Sequence, residues 1–393
     1  MRGFAKRVSL PSLGNTLASM AKYRHQWEKT LALARHAMST RGHLPEPGSS
    51  RLTEVHSFGS NPGRLRMFKY VPAQPERALV VVLHGCTQNA EVYDFGAGWS
   101  TLADRYGFVL LMPQQEPRNN PNKCFNWFLS RHIERDQGET MSIRQMIETM
   151  IRDHYIDPRR VYVTGLSAGG AMTVVLLATY PELFAGGAVI AGLPYRTATN
   201  MNEAFESMFN ARPRPAHEWG NLVRAASRHD GPWPRISVWH GDSDPLVKRE
   251  NADHLCVQWA NVHGLEEAPT GMEIVDGYPR QVWRNQRGED VIESYTIPRM
   301  AHGTPLAAGD SHDKCGKPGA FLLDVGISSS YHIAKFWGLA DRGRAIQRSK
   351  LPRPQPVAPR EIAEARTPEP GRQAHLPEVI AKALRSAGLW KLP

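Results

Sequence analysis

A serine flanked by glycines, between a strand pattern and a helix pattern, constrains the fold of this chain more than any other feature. Residues 161–164 are apolar and β-branched, which predicts a buried β-strand, and the segment Gly165-Leu166-Ser167-Ala168-Gly169 follows directly. A helical pattern comes next. A G-x-S-x-G segment in this context forms a sharp turn that exposes the serine hydroxyl at the end of the strand. Ser167 is therefore a candidate nucleophile, and the alternative is a serine that only caps the following helix.

The same alternation of apolar runs and helical patterns continues along much of the chain. Helical patterns cover about residues 91–105, 141–154, 168–180 and 247–262. Apolar runs lie between them, at residues 79–83, 108–112, 161–164, 187–190 and 236–239. Continuous apolar strands interleaved with helices are typical of a mainly parallel sheet covered on both faces. The sequence therefore predicts an α/β fold of this kind.

The chain divides into three regions. Residues 1–46 contain an amphipathic helical pattern at 14–38, whose apolar stripe we expect to dock on the main domain. Residues 47–340 form the predicted catalytic domain, with a cap-like segment at about 194–233 that is too long for a simple crossover. Residues 341–393 contain a linker rich in Pro and Arg, at 351–372, and a short amphipathic segment at the end.

The net charge of +10 is concentrated at the two ends of the chain. Residues 1–46 hold eight Lys or Arg against two Asp or Glu, and residues 341–393 hold eleven against five, so each end carries +6 and the middle carries −2. This distribution does not favour nucleic acid as a partner of the catalytic domain. The basic ends are solvated tails in the simplest interpretation, and contact with an acidic partner or an anionic surface is the alternative.

Targeting and cofactor signals are weak. No run approaches the roughly 20 apolar residues of a membrane span, and no signal peptide is visible after the basic residues at the N-terminus. We therefore expect a cytoplasmic protein by default, with the extracellular region as the alternative. The four cysteines show no zinc-ligand spacing, and we expect neither a metal nor another cofactor.

A second motif follows the strand at 79–83. His84-Gly85-Cys86 lies where hydrolases of this type place a backbone N–H toward the oxyanion of the reaction. Cys86 and Ala168, the residue after the candidate nucleophile, are the expected donors. His84 comes before the serine, which is the wrong order for the general base of such a site. We interpret His84 as a structural hydrogen-bonding residue in that turn.

The remaining catalytic candidates follow Ser167 in the order Ser, Asp, His. Asp242 and Asp244 compete as the acid after the strand at 236–239, and we favour Asp244, because it lies just before Pro245 and the next helix. We expect Asp242 to hold the turn together. His302 lies in a loop beside Gly303 and is the candidate base, with His312 and His332 as alternatives.

Taken together, these segments resemble a known family. The similarity lies in 83–88 (LHGCTQ), 98–99 (GW), 124–128 (CFNWF), 165–170 (GLSAGG) and 324–329 (DVGISS). They look like the poly(3-hydroxybutyrate) depolymerase family of esterases, to which feruloyl and acetylxylan esterases are related. The resemblance spans about residues 60–340 and implies an α/β-hydrolase fold. It also implies ester hydrolysis without a metal, by the triad Ser167, Asp244 and His302.

Several further expectations follow from this reading. The substrate is a polyester or oligoester of 3-hydroxybutyrate type, with feruloyl or acetylxylan esters as the alternative and a granule-binding protein with a vestigial site as a third possibility. Phe125, Trp127 and Tyr195 are candidate substrate-binding residues. Aromatic and Met side chains of the cap-like segment line the pocket or form the core of that segment.

The cysteines give two further expectations. In this fold, the loops that carry Cys86 and Cys124 lie at the same edge of the sheet, so we expect a disulfide between them in an oxidising setting. Two buried free thiols are the alternative. A bond between Cys256 and Cys315 is a weaker hypothesis.

Overall fold

The computed structural model describes His25, Glu28, Lys29 and residues 50–340. The first three are helical and exposed, in agreement with the helical pattern around them. The rest of the predicted helix at 14–38, the linker at 351–372 and the C-terminal amphipathic segment lie outside the described residues.

A ten-stranded sheet forms the centre of the described domain, and its spatial order is β1-β2-β4-β3-β5-β6-β7-β10-β9-β8. The six strands from β4 to β10 in that order pair in parallel with one another. The strands outside them, at both edges, pair antiparallel. The strands are β1 (Thr53–Val55), β2 (Arg66–Tyr70), β3 (Leu79–Leu83), β4 (Val109–Gln114), β5 (Val161–Leu166), β6 (Gly186–Ile190), β7 (Arg235–Gly241), β8 (Gly271–Val275), β9 (Tyr278–Arg284) and β10 (Asp290–Ile297). Two short strands, β11 (Thr304–Leu306) and β12 (Leu322–Asp324), form a separate parallel pair.

Helices connect the strands of the sheet. Two short 3₁₀ turns, Pro158–Arg160 and Pro181–Leu183, stand on either side of the strand and helix that carry Ser167. The α-helices are α1 (Ala90–Ala97), α2 (Trp99–Tyr106), α3 (Ser130–Ile133), α4 (Gly138–His154), α5 (Ala168–Thr179), α6 (Met201–Asn210), α7 (Ala216–Arg224), α8 (Glu250–Val262) and α9 (Ser329–Phe336).

The central strands are buried on both faces. In β3, the side chains of Leu79, Val81 and Leu83 belong to one apolar cluster, and those of Val80 and Val82 belong to another on the opposite face. Successive side chains of a strand point to opposite faces of a sheet. The continuous apolar run therefore reflects a strand covered on both sides, as predicted, and the α/β fold is confirmed.

The structure adds two features that the sequence patterns did not predict. The helical pattern at 91–105 is divided into α1 and α2, because Gly98 has a left-handed conformation with φ of 76° and ends the first helix. The second feature is the set of antiparallel edge strands. β9 carries several polar side chains, and β8 is short and mostly exposed, so neither gives the continuous apolar pattern of a buried strand.

The cysteine predictions have opposite outcomes. Cys86 and Cys124 form a disulfide, with a Cα–Cα distance of 4.3 Å, which confirms that their loops are neighbours. The proposed bond between Cys256 and Cys315 is wrong, since both are buried free thiols. Cys256 belongs to the apolar cluster on one face of the sheet and Cys315 to the cluster on the other, so the sheet separates them.

Candidate active site

Ser167 occupies the turn between β5 and α5. It has φ of 57° and ψ of −116°, a conformation that non-glycine residues rarely adopt, and its backbone N–H donates to the carbonyl of Ile190 at 2.8 Å. The helix begins at the next residue, Ala168. A strained serine between a strand and a helix is the arrangement that exposes a nucleophile at the carboxyl edge of the sheet.

The two glycines of the motif are required by close packing. A Cβ atom on Gly165 would lie 2.4 Å from the backbone of Gly169, and a Cβ atom on Gly169 would lie 2.4 Å from the carbonyl oxygen of Leu83. Real Cβ contacts are essentially never that short. The G-x-S-x-G spacing therefore lets α5 begin directly against the strand that leads to the His84 motif.

His302 and Asp244 meet across two loops of the same edge. His302 lies between β10 and β11, and its Nδ1 atom is 2.7 Å from Oδ2 of Asp244, which follows β7. Both residues are only 6% exposed. His302 and Ser167 border the same small cavity, together with Cys86 and Phe321. The geometry thus brings Ser167, Asp244 and His302, the three catalytic residues predicted from the sequence, to one edge of the sheet.

The carboxylate of Asp244 is held by donors on both oxygens. Its Oδ1 accepts hydrogen bonds from the backbone N–H groups of Leu246 and Val247, at 2.8 and 2.9 Å. Nε2 of His240 lies 3.3 Å from Oδ2 and donates to the carbonyl of Val247 at 2.9 Å. Burial alone would raise the pKa of Asp244, but the electrostatic interaction with His302 and the hydrogen bonds from both histidines outweigh it. The net effect places this pKa below its usual range, which keeps Asp244 ionised.

Asp242 has a different environment from Asp244. It is exposed, and its Oδ1 accepts hydrogen bonds from the backbone N–H of Arg299 at 2.6 Å and from Ser243 Oγ at 2.9 Å. These contacts join the turn after β7 to the turn after β10. The structure therefore places Asp242 as a turn-holding residue and Asp244 against His302.

His84 is buried in the turn that precedes Cys86. Its Nδ1–H donates to the carbonyl of Gly85 at 2.8 Å, and its Nε2 accepts from the backbone N–H of Gln115 at 3.1 Å. Burial lowers the pKa of His84 to about 4, so the ring is neutral at physiological pH. Both ring nitrogens are thus engaged in holding the loop.

A cavity of about 590 Å³ opens beside Ser167. Its wall includes Cys86 and Ala168, the two expected oxyanion donors, and Ala168 is the first residue of α5, where N–H groups lack partners within the helix. Glu28, from the N-terminal region, also reaches it. The remaining wall is mostly apolar and includes three amide side chains: Asn120, Pro121, Asn122, Cys124, Trp127, Phe128, Leu193, Met201, Asn202, Ala204, Phe205, Met208 and Val247.

The three candidate substrate-binding aromatics separate into two groups. Trp127 lines the cavity, as expected from the sequence. Phe125 and Tyr195 do not, and this corrects the expectation for both. Phe125 is fully buried with its ring centroid 5.0 Å from that of His84, and Tyr195 is 1% exposed and donates from Oη to the carbonyl of Ile133 at 3.2 Å. Both side chains therefore serve the core.

The cap-like segment contributes part of the wall through α6. Phe205 and Met208 line the cavity, whereas Phe209, on the same helix, belongs to the apolar core. No sequence pattern predicted a role for His240 or for the amide residues Asn120 and Asn202. The only sequence signal for His240 was its place directly after an apolar strand run, the same position that marks His84.

The described residues include neither a metal site nor a membrane-spanning helix. Across residues 50–340 and the three described N-terminal residues, no group of three or more His, Cys, Asp or Glu side chains is placed to hold a metal ion. Within the same part of the chain, no helix has the length and apolarity needed to cross a membrane.

A mainly parallel sheet, a serine on a sharp strand-to-helix turn and a His–Asp pair on later loops define an α/β-hydrolase fold. The model of the Esterase PHB depolymerase family matches residues 68–277, and the chain belongs to this family. The chain is 48% identical over 291 residues to poly(3-hydroxyalkanoate) depolymerase C of Paucimonas lemoignei. The match covers 73% of this chain and 70% of the relative. The chain is thus a carboxylic ester hydrolase.

Two further comparisons match acetylxylan esterases. An acetylxylan esterase of Coprinopsis cinerea is 34% identical over 274 residues, covering 66% of this chain and 71% of the relative. Among solved structures, the acetyl xylan esterase from Aspergillus awamori superposes with a TM-score of 0.61 at 24% identity, covering 73% of this chain and 99% of the other. This structural similarity supports the α/β-hydrolase fold of the chain.

Proposed function

We propose that this enzyme hydrolyses poly- or oligo(3-hydroxybutyrate)-type esters through an acyl-enzyme, with Ser167 as nucleophile, His302 as base and Asp244 as the acid that orients it. The observation that carries the proposal is the cavity beside Ser167, whose wall is mostly apolar. Hydroxyalkanoate chains present methyl and methylene groups between ester groups, and an apolar wall favours them over heavily hydroxylated sugars.

The proposed reaction begins with proton transfer from Ser167 to His302. Asp244 accepts the Nδ1–H of His302, which leaves Nε2 free to take the proton as the serine oxygen attacks the ester carbonyl carbon. The carbonyl oxygen becomes an oxyanion, and the backbone N–H groups of Cys86 and Ala168 are the proposed donors to it. Ala168 begins a helix, whose positive N-terminal end favours negative charge.

The second half repeats the chemistry with water. As the tetrahedral intermediate collapses, the bond to the alcohol oxygen breaks and His302 returns its proton to that oxygen. Water then gives a proton to His302 and attacks the acyl-enzyme, and collapse of the second intermediate regenerates the Ser167 hydroxyl. The products are a free carboxylic acid and a shorter alcohol-ended chain.

Substrate preference tests this proposal. Purified enzyme is assayed against a water-soluble trimer of 3-hydroxybutyrate, methyl ferulate and acetylated xylan at equal ester concentration. We expect the highest kcat/KM on the trimer. A higher value on ferulate or on acetylated xylan would replace the polyester with the plant-polysaccharide alternative, which the 34% identity to the Coprinopsis cinerea acetylxylan esterase favours.

The role of the basic ends remains a proposal of its own. Their charge suits an anionic or granule surface, and we propose that they increase retention of the enzyme on polyester granules. Co-sedimentation of the full chain with granules at low and high salt tests this idea. Retention that is equal at both salt concentrations would exclude an electrostatic role for the ends.

A further inference from the structure

Glu139 is a fully buried carboxyl group outside the proposed triad. It is the second residue of α4, and its exposure is 0%. Isolated buried charges are costly, so a carboxyl group in such a place needs hydrogen-bond donors around it. The donors that it has connect it to the loop between β4 and α3.

Three N–H groups from that loop point at Glu139. Oε1 accepts from Nε2 of Gln115 at 2.7 Å and from Nδ2 of Asn126 at 2.6 Å, and Oε2 accepts from the backbone N–H of Asn126 at 2.9 Å. Gln115 and Asn126 stand at the two ends of the segment 115–126, which we call the bridging loop. One carboxylate therefore ties both ends of the bridging loop to α4.

The bridging loop is in turn attached to the turn that carries Cys86 at three points. Cys124 is disulfide-bonded to Cys86, the N–H of Thr87 donates to the carbonyl of Asn122 at 2.6 Å, and the N–H of Gln115 donates to His84. The amide of Gln115 also donates to the carbonyl of Cys124 at 3.2 Å. Movement of the bridging loop would consequently move the backbone of Cys86.

The bridging loop also forms one side of the cavity. Asn120, Asn122 and Cys124 line it, and the Asn120 amide donates to Oδ1 of Asn126 at 3.2 Å. The network from Glu139 thus reaches the cavity wall through Asn126 and the oxyanion turn through Gln115 and Cys124. Glu139 itself is not among the residues that line the cavity.

Two ionisable neighbours face Glu139. Nδ1 of His132 lies 3.6 Å from Oε1, and Nε of Arg131 donates to Nε2 of His132 at 3.0 Å, which places the ring proton on Nδ1, toward the carboxyl group. Burial lowers the pKa of His132 to about 4, so this ring supplies a dipole and not a full charge at neutral pH. Arg131 acts on Glu139 at longer range.

We propose that Glu139 is a positioning residue for ester hydrolysis, which holds the bridging loop and through it the N–H of Cys86 where the oxyanion forms. The proposal rests on the proposed function in so far as that N–H acts as an oxyanion donor. Glu139 does not touch the substrate. Its effect is on the preorganisation of the donor, which matters more in the transition state than in the bound substrate.

The buried charge of Glu139 affects the pH dependence of stability, whereas its positioning role affects kcat. Burial raises the pKa of Glu139 to about 7. A carboxyl group with a raised pKa in the folded state stabilises the fold most below its unfolded pKa, and this contribution is lost as the pH rises through about 7. A neutral glutamine avoids that loss, so the stability of Glu139→Gln should depend less on pH between 5 and 8 than that of the wild type.

The test compares Glu139→Gln with Glu148→Gln, an exposed change on the same helix. Glutamine keeps one acceptor oxygen but replaces the other with an N–H donor, which faces one of the donors on Asn126. On a soluble ester we expect kcat to fall roughly tenfold or more with KM changed less than about twofold. We also expect faster reduction of the Cys86–Cys124 disulfide by dithiothreitol, and a smaller fall in Tm between pH 5 and 8 than in the wild type. Glu148→Gln should match the wild type in all three.

A second variant tests the same network if Glu139→Gln fails to fold. Asn126→Ala removes one donor to Glu139 from the bridging loop and should give the same separation of kcat from KM. In the double variant, the two losses should not add, because both break one network. Unchanged kcat in Glu139→Gln, or a disulfide reduced at the wild-type rate, would overturn the proposal. The reduction rate does not depend on catalysis, so it still reports on Glu139 if Ser167 proves not to be the nucleophile.

Discussion

Nδ1 of His302 lies 2.7 Å from Oδ2 of Asp244, across a sequence separation of 58 residues. The turns that bring them together follow two neighbouring parallel strands, β7 and β10. Because the carboxyl ends of parallel strands meet at one edge of the sheet, residues distant in sequence converge there. Ser167 follows β5 and reaches the same edge.

Replacement of the two aspartates after β7 should have unequal effects. Asp244→Asn leaves the geometry nearly intact but removes the acceptor that fixes the His302 tautomer, so we expect kcat to fall by about 10⁴-fold. Asp242→Asn changes only an exposed turn residue, and we expect kcat within a few-fold of the wild type. Steady-state kinetics on a soluble ester measure both. Similar losses in the two variants would show that Asp244 is not the acid.

Loss of the disulfide should affect turnover and stability together. In Cys86→Ser/Cys124→Ser, we expect kcat to fall more than KM rises, since the N–H of Cys86 is less well fixed. The bond closes a loop with a sequence separation of 38, and on the chain-entropy model its removal costs about 3–4 kcal/mol of unfolding free energy.

The matched control for the disulfide is Cys256→Ser, which changes a buried free thiol away from the cavity. It should keep the wild-type kcat, although it costs some stability by burying a hydroxyl group. If the double serine variant kept full kcat while losing stability, the disulfide would be structural and would not preorganise the donor.

Phe205 on α6 should govern affinity for the longer substrates. Its ring forms part of the cavity wall, and truncation removes apolar contact with the chain that extends from the scissile ester. We expect Phe205→Ala to raise KM for a hydroxybutyrate trimer roughly tenfold, with a smaller effect on a short aryl ester. Phe95→Ala, an exposed change on α1 outside the cavity wall, is the control. Equal effects on both esters would remove Phe205 from the binding site.

Stability should depend on pH through His84. Burial lowers the pKa of His84 to about 4, so its neutral form is favoured in the folded state, and the stability present above the unfolded value near 6.5 is lost as the pH falls toward 4. A difference of this size corresponds to roughly 3 kcal/mol. The unfolding free energy of His84→Gln should therefore decrease less between pH 6.5 and 4 than that of the wild type. Denaturant titrations at several pH values measure this, and parallel curves would contradict it.

The sequence was sufficient where a local pattern encodes the geometry. The strand, the glycines and Ser167 form one continuous segment, and Asp244 and His302 follow strand patterns in the order that the fold requires. The disulfide followed from the same reasoning, since both cysteines lie on loops at one edge. Each of these inferences needs only the position of a residue relative to the end of a strand.

Other features depend on the direction of a side chain or on contacts between distant segments. Phe125 and Trp127 are two residues apart and similar in pattern, yet one packs on His84 and the other lines the cavity. Glu139 is a helix residue whose partners lie on a loop that comes earlier in the chain. Cys256 and Cys315 fall on opposite faces of the sheet, which spacing alone does not reveal.

The identity of the nucleophile is the central claim, and active-site labelling tests it most directly. The wild-type enzyme and Ser167→Ala are treated with a fluorophosphonate probe, and the adduct is located by mass spectrometry of the digested protein. We expect one adduct, on Ser167, with parallel loss of esterase activity, and neither labelling nor activity in a folded Ser167→Ala variant. An adduct on another residue, or ester hydrolysis by Ser167→Ala at the wild-type rate, would contradict the account.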